Sequence, residues 1–285
     1  MGSGLYSSDL RHVRAMACGY GTKSATEIFT QKTINSSMNP CGIEVREARD
    51  SEEHPNSVPI ILALDVTGSM GSVPHHLVKE GLPKIMDAII QAGIEDPQLL
   101  FMGIGDHECD SFPLQVGQFE SSDELLDKWL TDVFLEGGGG GNKGESYQLA
   151  WYFAALHTAI DSMEKRNKKG FLFTVGDEPV LEFVSKSVLK DIMGDGQYSD
   201  YNSAELLDEA RKNYHVYHIN ICQTSSGRRD WVQDGWKQIM GDNLILAEKQ
   251  EDVSKIIPRI VNDITHGKSS DTSEGTSEDA SDMML

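Results

Sequence analysis

The residues best suited to bind a ligand follow an apolar run at positions 60–64. Asp65, Thr67 and Ser69 stand at alternate positions in the segment DVTGSMG, so their oxygens can converge on one side of a tight loop. Ligands that are all oxygen suit a hard cation such as Mg²⁺, with Mn²⁺ as an alternative, and do not suit zinc. The same residues also fit a helix N-terminal cap, because Asp, Thr and Ser favour that role.

Alternating strands and helices must position this loop. Five apolar runs predict strands: Pro59–Leu64, Leu99–Ile104, Gly170–Val175, Tyr214–Cys222 and Asn243–Leu246. The intervening sequences have helical patterns: residues 77–89, 125–130, 149–160, 204–214, 231–240 and 253–264. This alternation predicts an α/β fold with an open, mainly parallel sheet and helices on both faces. Ligands of such sheets bind at the carboxyl ends of strands, which is where Asp65 falls.

Two further segments are predicted to be strands at sheet edges. Ile43–Arg46 alternates between apolar and charged residues, and Phe112–Phe119 could run antiparallel to the rest of the sheet.

The loop spacing D-x-T-x-S resembles that of von Willebrand factor A (vWA, Rossmann-like) domains, whose metal-ion-dependent adhesion site (MIDAS) is written D-x-[ST]-x-S. Two later segments extend the resemblance: FLFTVGDEP is a strand that ends in Gly-Asp, and GGGGGNKGES is similar to the "GGGD-x-x-E" variant of the family. The resemblance covers roughly residues 58–266 and implies a vWA domain of the intracellular microbial type.

The resemblance also implies a ligand set and a function. It assigns Asp65, Thr67 and Ser69 to the metal, adds Asp177 from the third loop, and puts Asn142 where the family has a Thr. It implies a non-catalytic module that binds an acidic residue of a protein partner through Mg²⁺. Candidates for the rim of this site are Asp106, Glu145 and Glu178.

Several of these positions have alternative interpretations. Asn142 and Glu145 also read as a capping box for the next helix, and the run at 137–141 could be a flexible linker. Asp106 begins the segment DHECD, which is either a ligand cluster or a polar loop at the rim. A structural role and a metal role are compatible at Asn142.

The composition limits the classes of partner. The chain has 285 residues and a formal charge of −20, which argues against binding nucleic acid or an anionic membrane surface. It lacks a signal-like N-terminus and a long apolar stretch, and its four cysteines are far apart. We therefore expect reduced thiols and a cytoplasmic protein, with two disulfides as the less favoured alternative.

The sequence divides into three parts. Residues 58–267 are the predicted vWA domain. Residues 1–57 are expected to be an extension packed on the sheet edge, and residues 268–285 a disordered acidic tail.

Two further functions remain open. Cytosolic vWA proteins of microbes often work with AAA+ ATPases, so the chain could be the adaptor of such a complex. A metal-dependent hydrolase would need a general base, for which Glu178 is the candidate. There is no G-x-S-x-G nucleophile motif, so no catalytic residues are assigned.

Overall fold

The computed structural model describes residues 4–136 and 144–267. Within these ranges the strands are β1 Arg46–Ala48, β2 Val58–Asp65, β3 Pro97–Ile104, β4 Leu114–Val116, β5 Thr158–Ile160, β6 Gly170–Gly176, β7 Phe183–Val184, β8 Tyr201–Asn202, β9 Tyr214–Ile221 and β10 Leu244–Ala247. The α-helices are α1 Ser8–Ala17, α2 Ala25–Ile28, α3 Val73–His76, α4 Leu82–Gln91, α5 Asp123–Thr131, α6 Tyr147–Leu156, α7 Asp161–Arg166, α8 Lys186–Met193, α9 Ser203–Asn213, α10 Asp230–Met240 and α11 Val253–Thr265. The tail at 268–285 lies outside the described residues, as does Asn142.

The central sheet has six strands in the order β10-β9-β6-β2-β3-β4. All neighbours are parallel except β3 and β4, which pair antiparallel at the edge. The predicted open, mainly parallel sheet is confirmed, and so is the antiparallel edge strand within 112–119. Because β2 lies between β6 and β3, the loops that follow these three strands meet at one end of the sheet.

Two apolar layers cover the sheet, because successive side chains of a strand point to opposite faces. Ile60, Leu62 and Leu64 of β2 pack in one buried cluster with residues of α4, α5 and α11. Ile61 and Ala63 pack in the other with residues of α6, α9 and α10. The predicted helices on both faces are confirmed, and each face buries its own core.

Two local predictions were only partly right. The predicted edge strand at 43–46 is displaced: the strand here is β1, which begins at Arg46 and pairs in parallel with β5 in a separate two-stranded sheet. The apolar run at 149–160 is not one helix: α6 ends at Leu156, and Thr158–Ile160 forms β5. The Thr158 hydroxyl donates to the Ala154 carbonyl at 2.6 Å, where the chain leaves the helix.

The helix after β2 is interrupted and contacts the N-terminal segment. Leu77–Gly81 forms a π-helical turn between α3 and α4. Arg11 of α1 donates to the Val78 carbonyl in this turn at 2.8 Å, and it also pairs with the buried Asp127 of α5. The Asp127 carboxylate accepts a second hydrogen bond, from Tyr20, at 2.7 Å. A buried ion pair therefore joins α1 to the domain.

Candidate functional site

The loop after β2 orders its carboxylate and hydroxyls by hydrogen bonds within the loop. The Thr67 amide and hydroxyl both donate to Asp65 Oδ1, at 2.9 and 2.6 Å. The Thr67 and Ser69 hydroxyl oxygens lie 3.2 Å apart. Thr67 stands at the N-cap of the short helical turn Gly68–Met70, yet its side chain makes no capping bond. The hydroxyls are therefore directed to the carboxylates rather than to the helix end.

Asp177 joins this group from the neighbouring strand. It follows β6, which pairs with β2 in parallel, with Leu64 opposite Val175. Ser69 Oγ donates to Asp177 Oδ1 at 2.8 Å. The structure thus brings together the four predicted residues that it describes: Asp65, Thr67, Ser69 and Asp177.

Two of the three predicted rim residues are buried beside this group. Asp106 follows β3 and is 2% exposed, and Glu145, 8% exposed, precedes α6. Backbone hydrogen bonds tie Glu145 to the segment after Asp177, since its amide donates to the Pro179 carbonyl at 2.8 Å. Glu178 is partly exposed and accepts a hydrogen bond from the Ser226 hydroxyl.

The interpretation of residues 142–145 as a capping box is wrong, because Glu145 lies outside the helix. The box requires its Glu to be the third residue inside the helix, but α6 begins at Tyr147, after Glu145. Instead, the backbone of Glu145 pairs with that of Val180 as an isolated parallel β-bridge. The DHECD loop is a turn in which the Asp110 carboxylate accepts from the Asp106 amide at 2.8 Å.

The carboxylates of this site repel one another and are desolvated. Burial, followed by the charge of Asp177, raises the pKa of Asp65 to about 7. Burial, followed by the charges of Asp65 and Asp106, raises the pKa of Glu145 to about 10. Burial also raises the pKa of Asp177. Without a cation these carboxyls therefore tend to keep their protons, and a bound cation would favour their ionised forms.

These groups fit a bound cation. Buried oxygens of Asp106, Glu145 and Asp177 have no hydrogen-bond partner, and none of the site carboxylates forms an ion pair within the described residues. Buried charges are normally paired or coordinate metals. Over 4–136 and 144–267 no group of three or more His, Cys, Asp or Glu is arranged to hold a metal ion. Any cation here would thus depend on the Thr67 and Ser69 hydroxyls as well as on carboxylates.

Tyr147 belongs to the site, although the sequence analysis did not select it. Its hydroxyl donates to Asp65 Oδ2 at 2.9 Å, across 82 positions of sequence. A Cβ on Gly176 would lie 1.7 Å from the Tyr147 hydroxyl oxygen, so only glycine leaves room for this contact. The signal in the sequence was the glycine at the end of a strand, which indicates a close approach.

The loop after β9 was also missed. It spans residues 222–229 and lies beside Asp177, because β9 pairs with β6. A Cβ on Gly227 would be 3.2 Å from the Asp177 Cβ. The position of this loop at the end of a predicted parallel strand was the available signal.

Comparisons with known proteins bear on the fold alone. No family model and no curated protein matches the chain. It is similar to the pilus adhesin SpaC from Lactobacillus rhamnosus GG in its open conformation, at 11% identity and a TM-score of 0.50, over 76% of this chain and 31% of SpaC. It is also similar to the vWF domain of the type V pili tip protein Mfa5 from Porphyromonas gingivalis, at 10% identity and a TM-score of 0.46, over 79% of this chain and 99% of that domain.

The fold is vWA-like. The parallel sheet, its strand order and the helices on both faces are those of this Rossmann-like architecture, which the sequence resemblance implied. The chain spans about a third of the length of SpaC. None of the described helices is long and apolar enough to cross a membrane.

Proposed function

We propose that this protein is a non-catalytic interaction module of the MIDAS type, which binds an acidic residue of a partner protein through Mg²⁺. The observation that carries the proposal is the chain of short contacts from Asp65 through Thr67 and Ser69 to Asp177. It joins two hydroxyls to two buried carboxylates that form no ion pair within the described residues.

The donor set explains why Mg²⁺ is the favoured ion. Asp65, Thr67, Ser69 and Asp177 offer oxygen atoms alone, which hard cations prefer. Mn²⁺ is the second candidate. Asn142 would approach the same site from the second loop, and it stays a prediction from the sequence.

The residues around the ion determine what it can do. Mg²⁺ would supply a Lewis-acidic centre that attracts carboxylate oxygens. Thr67 and Ser69 contribute no charge; with these hydroxyls as direct ligands and the carboxylates acting largely through water, the ion would stay electrophilic. An incoming Asp or Glu could then bind it directly, which is the physical basis for recognition of an acidic partner.

Binding is favoured over hydrolysis by the position of Glu178. Its carboxylate accepts from the Ser226 hydroxyl, so the base that a hydrolase would require is held against the neighbouring loop. The AAA+ adaptor role and a cytoplasmic location stay predictions.

Titration calorimetry with Mg²⁺ and Mn²⁺ tests the metal. We expect binding to the wild-type protein and no binding to Asp65→Ala. Asp161→Asn is the matched control, because Asp161 is also a buried aspartate but lies at the opposite end of the sheet. A wild-type protein that binds neither ion would contradict the proposal.

An affinity pull-down in Mg²⁺ and in EDTA tests the partner. We expect proteins that are retained in Mg²⁺ and released by EDTA, and that Asp65→Ala does not retain. An ATPase among them would support the adaptor role. Retention that is identical in EDTA would argue against a metal-dependent interaction.

A further inference from the structure

The loop at 222–229 is rigidly held against the metal-site loops. The Gly227 carbonyl accepts from the Asn220 side chain at 2.7 Å and from the Gln233 side chain at 2.9 Å. A Cβ on Gly227 would lie 2.1 Å from the Ile221 carbonyl oxygen, so the backbone passes directly over the end of β9. Ser226 Oγ donates to Glu178, the residue after Asp177. The loop is therefore a fixed wall of the site.

This wall carries two exposed arginines, Arg228 and Arg229. Neither lies within salt-bridge distance of a carboxylate in the described part of the chain. Arg11, Arg49 and Arg166 pair with acids, whereas Arg46 and Arg259 likewise form no ion pair within the described residues. Arg228 and Arg229 are set apart by their position directly after Gly227, whose backbone lies against Asp177.

The two arginine side chains are held differently. The Arg228 guanidinium donates to the carbonyls of Gln223 and Thr224, at 2.7 and 2.8 Å, which fixes it on its own loop. Arg229 is close enough for its charge to act on Asp177, where it opposes the effect of burial on the pKa. One arginine is thus preorganised and the other stands near the metal-site carboxylate.

The stability of α10 does not account for the charge of Arg229. Arg229 is the N-cap residue of α10, and Arg228 precedes it. The N-terminus of a helix carries a partial positive charge, so cations there are unfavourable. Arg229 also makes no side-chain capping bond. A role in binding an external anion explains a placement that costs the helix stability.

We propose that Arg228 and Arg229 form a second anchoring point for the partner, which is therefore an acidic segment with at least two carboxylates near each other in sequence. One carboxylate is bound at the Asp65–Asp177 site, and the other pairs with the arginines. This inference rests on the proposed function, because the first carboxylate requires the metal. Guanidinium groups suit the second role, since they bind carboxylates with two parallel hydrogen bonds.

Synthetic peptides test this pairing. One peptide carries a single Glu, and the others carry a second Glu at increasing separations of a few residues. Their affinities are measured by fluorescence anisotropy in saturating Mg²⁺. We expect at least one two-Glu peptide to bind about tenfold more tightly than the single-Glu peptide, as a charge-assisted hydrogen-bonded pair provides. The double variant Arg228→Gln/Arg229→Gln is expected to lose that gain.

The control variant is Lys168→Gln/Lys169→Gln, which removes the same charge just before β6, at the opposite end of the sheet. It should keep the full gain. Equal binding of all peptides by the wild-type protein would overturn the inference, and so would a gain that survives Arg228→Gln/Arg229→Gln.

Calorimetry with Mg²⁺ separates this inference from the proposed function. Wild type and Arg228→Gln/Arg229→Gln should bind the ion with affinities within about threefold of each other, because neither arginine is a ligand. If the wild type bound no metal, both ideas would be wrong. If it bound Mg²⁺ and the single-Glu peptide but gained nothing from a second Glu, only the role of the arginines would be wrong.

Discussion

The two ends of the central sheet hold the same type of acidic residue in opposite electrostatic settings. At the amino end, Asp161 pairs with Arg49 and Lys165 and accepts from the Asp50 amide. Although burial alone would raise its pKa, these hydrogen bonds lower it to about 2. At the carboxyl end, Asp65 is also buried but accepts hydrogen bonds only from hydroxyls and an amide, and burial together with the charge of Asp177 raises its pKa to about 7.

The difference separates a structural carboxylate from one that is available to a ligand. Asp161 is neutralised within the chain, so it contributes to the stability of the fold. Asp65 is left without a positive partner, which is unfavourable in the isolated chain unless a cation binds. Burial by itself therefore does not tell whether an aspartate is structural or available to a ligand. The charge of the neighbouring groups does.

The largest expected effect is the loss of metal binding on replacing Asp65. Asp65→Asn should weaken Mg²⁺ binding by more than about 100-fold, because a ligand oxygen and its charge are lost. The metal-free variant should be at least as stable as the wild type, since a buried uncompensated charge is removed. Calorimetry and urea denaturation in EDTA measure the two effects. If Asp65→Asn bound Mg²⁺ with wild-type affinity, Asp65 would not be a ligand and would not differ from Asp161 in that respect.

The second expected effect is a loss of stability at the other end of the sheet. Asp161→Asn should destabilise the protein by about 2 kcal/mol, because charge-assisted hydrogen bonds to Arg49 and Lys165 are lost. Mg²⁺ affinity should be unchanged. Urea denaturation of the variant and of the wild type checks the value, and a change in metal affinity would show that the two ends are coupled.

The pH dependence of stability should have opposite signs at the two ends. The raised pKa of Asp65 means that the metal-free folded state binds more protons than the unfolded state between about pH 4 and 7, so stability falls as pH rises through this range. The lowered pKa of Asp161 acts in reverse, because its stabilisation is lost as pH falls from about 4 towards 2.

Urea denaturation across this pH range measures both trends. In EDTA, the free energy of unfolding should fall above pH 4 by less than about 1.4 kcal/mol per pH unit for each proton. The Asp65→Asn substitution should make this fall smaller. Saturating Mg²⁺ should reduce it as well. Identical slopes for the wild type and Asp65→Asn would contradict the assignment of the trend to Asp65.

The smallest expected effect is that of Tyr147→Phe. This variant keeps the ring and removes the hydroxyl that donates to Asp65 Oδ2. Mg²⁺ affinity should change less than about tenfold, because one orienting hydrogen bond is lost while the ligands remain. Tyr214→Phe is the control, since the Tyr214 hydroxyl is also buried but contacts Thr158 at the amino end. An equal change in Mg²⁺ affinity in both variants would argue against a specific role for Tyr147.

Local patterns predicted most of the secondary structure. The five predicted strands of the central sheet are present, because long apolar runs between polar loops are typical of buried parallel strands. The failures came from short segments. Alternation at 43–46 could not identify its partner, and β1 pairs with β5 more than a hundred positions away.

The residues of the site also fall into those that the sequence predicted and those that it did not. Asp65, Thr67 and Ser69 were recognisable because they lie within one loop, and Asp177 because the family motif places it there. Tyr147 was not recognisable, since its contact with Asp65 crosses from α6 to β2 and depends on the space above Gly176.

The sequence by itself determined the alternation of strands and helices and the oxygen-rich loop at the end of β2, because both are encoded in neighbouring residues. Only the tertiary structure decided which acids are compensated. The sequence around Asp161 gives no sign that this acid is neutralised, and folding places Arg49 beside Asp161 but Asp177 beside Asp65. Electrostatic interaction depends on distance in space. Which of these acids is neutralised within the chain is therefore decided only on folding.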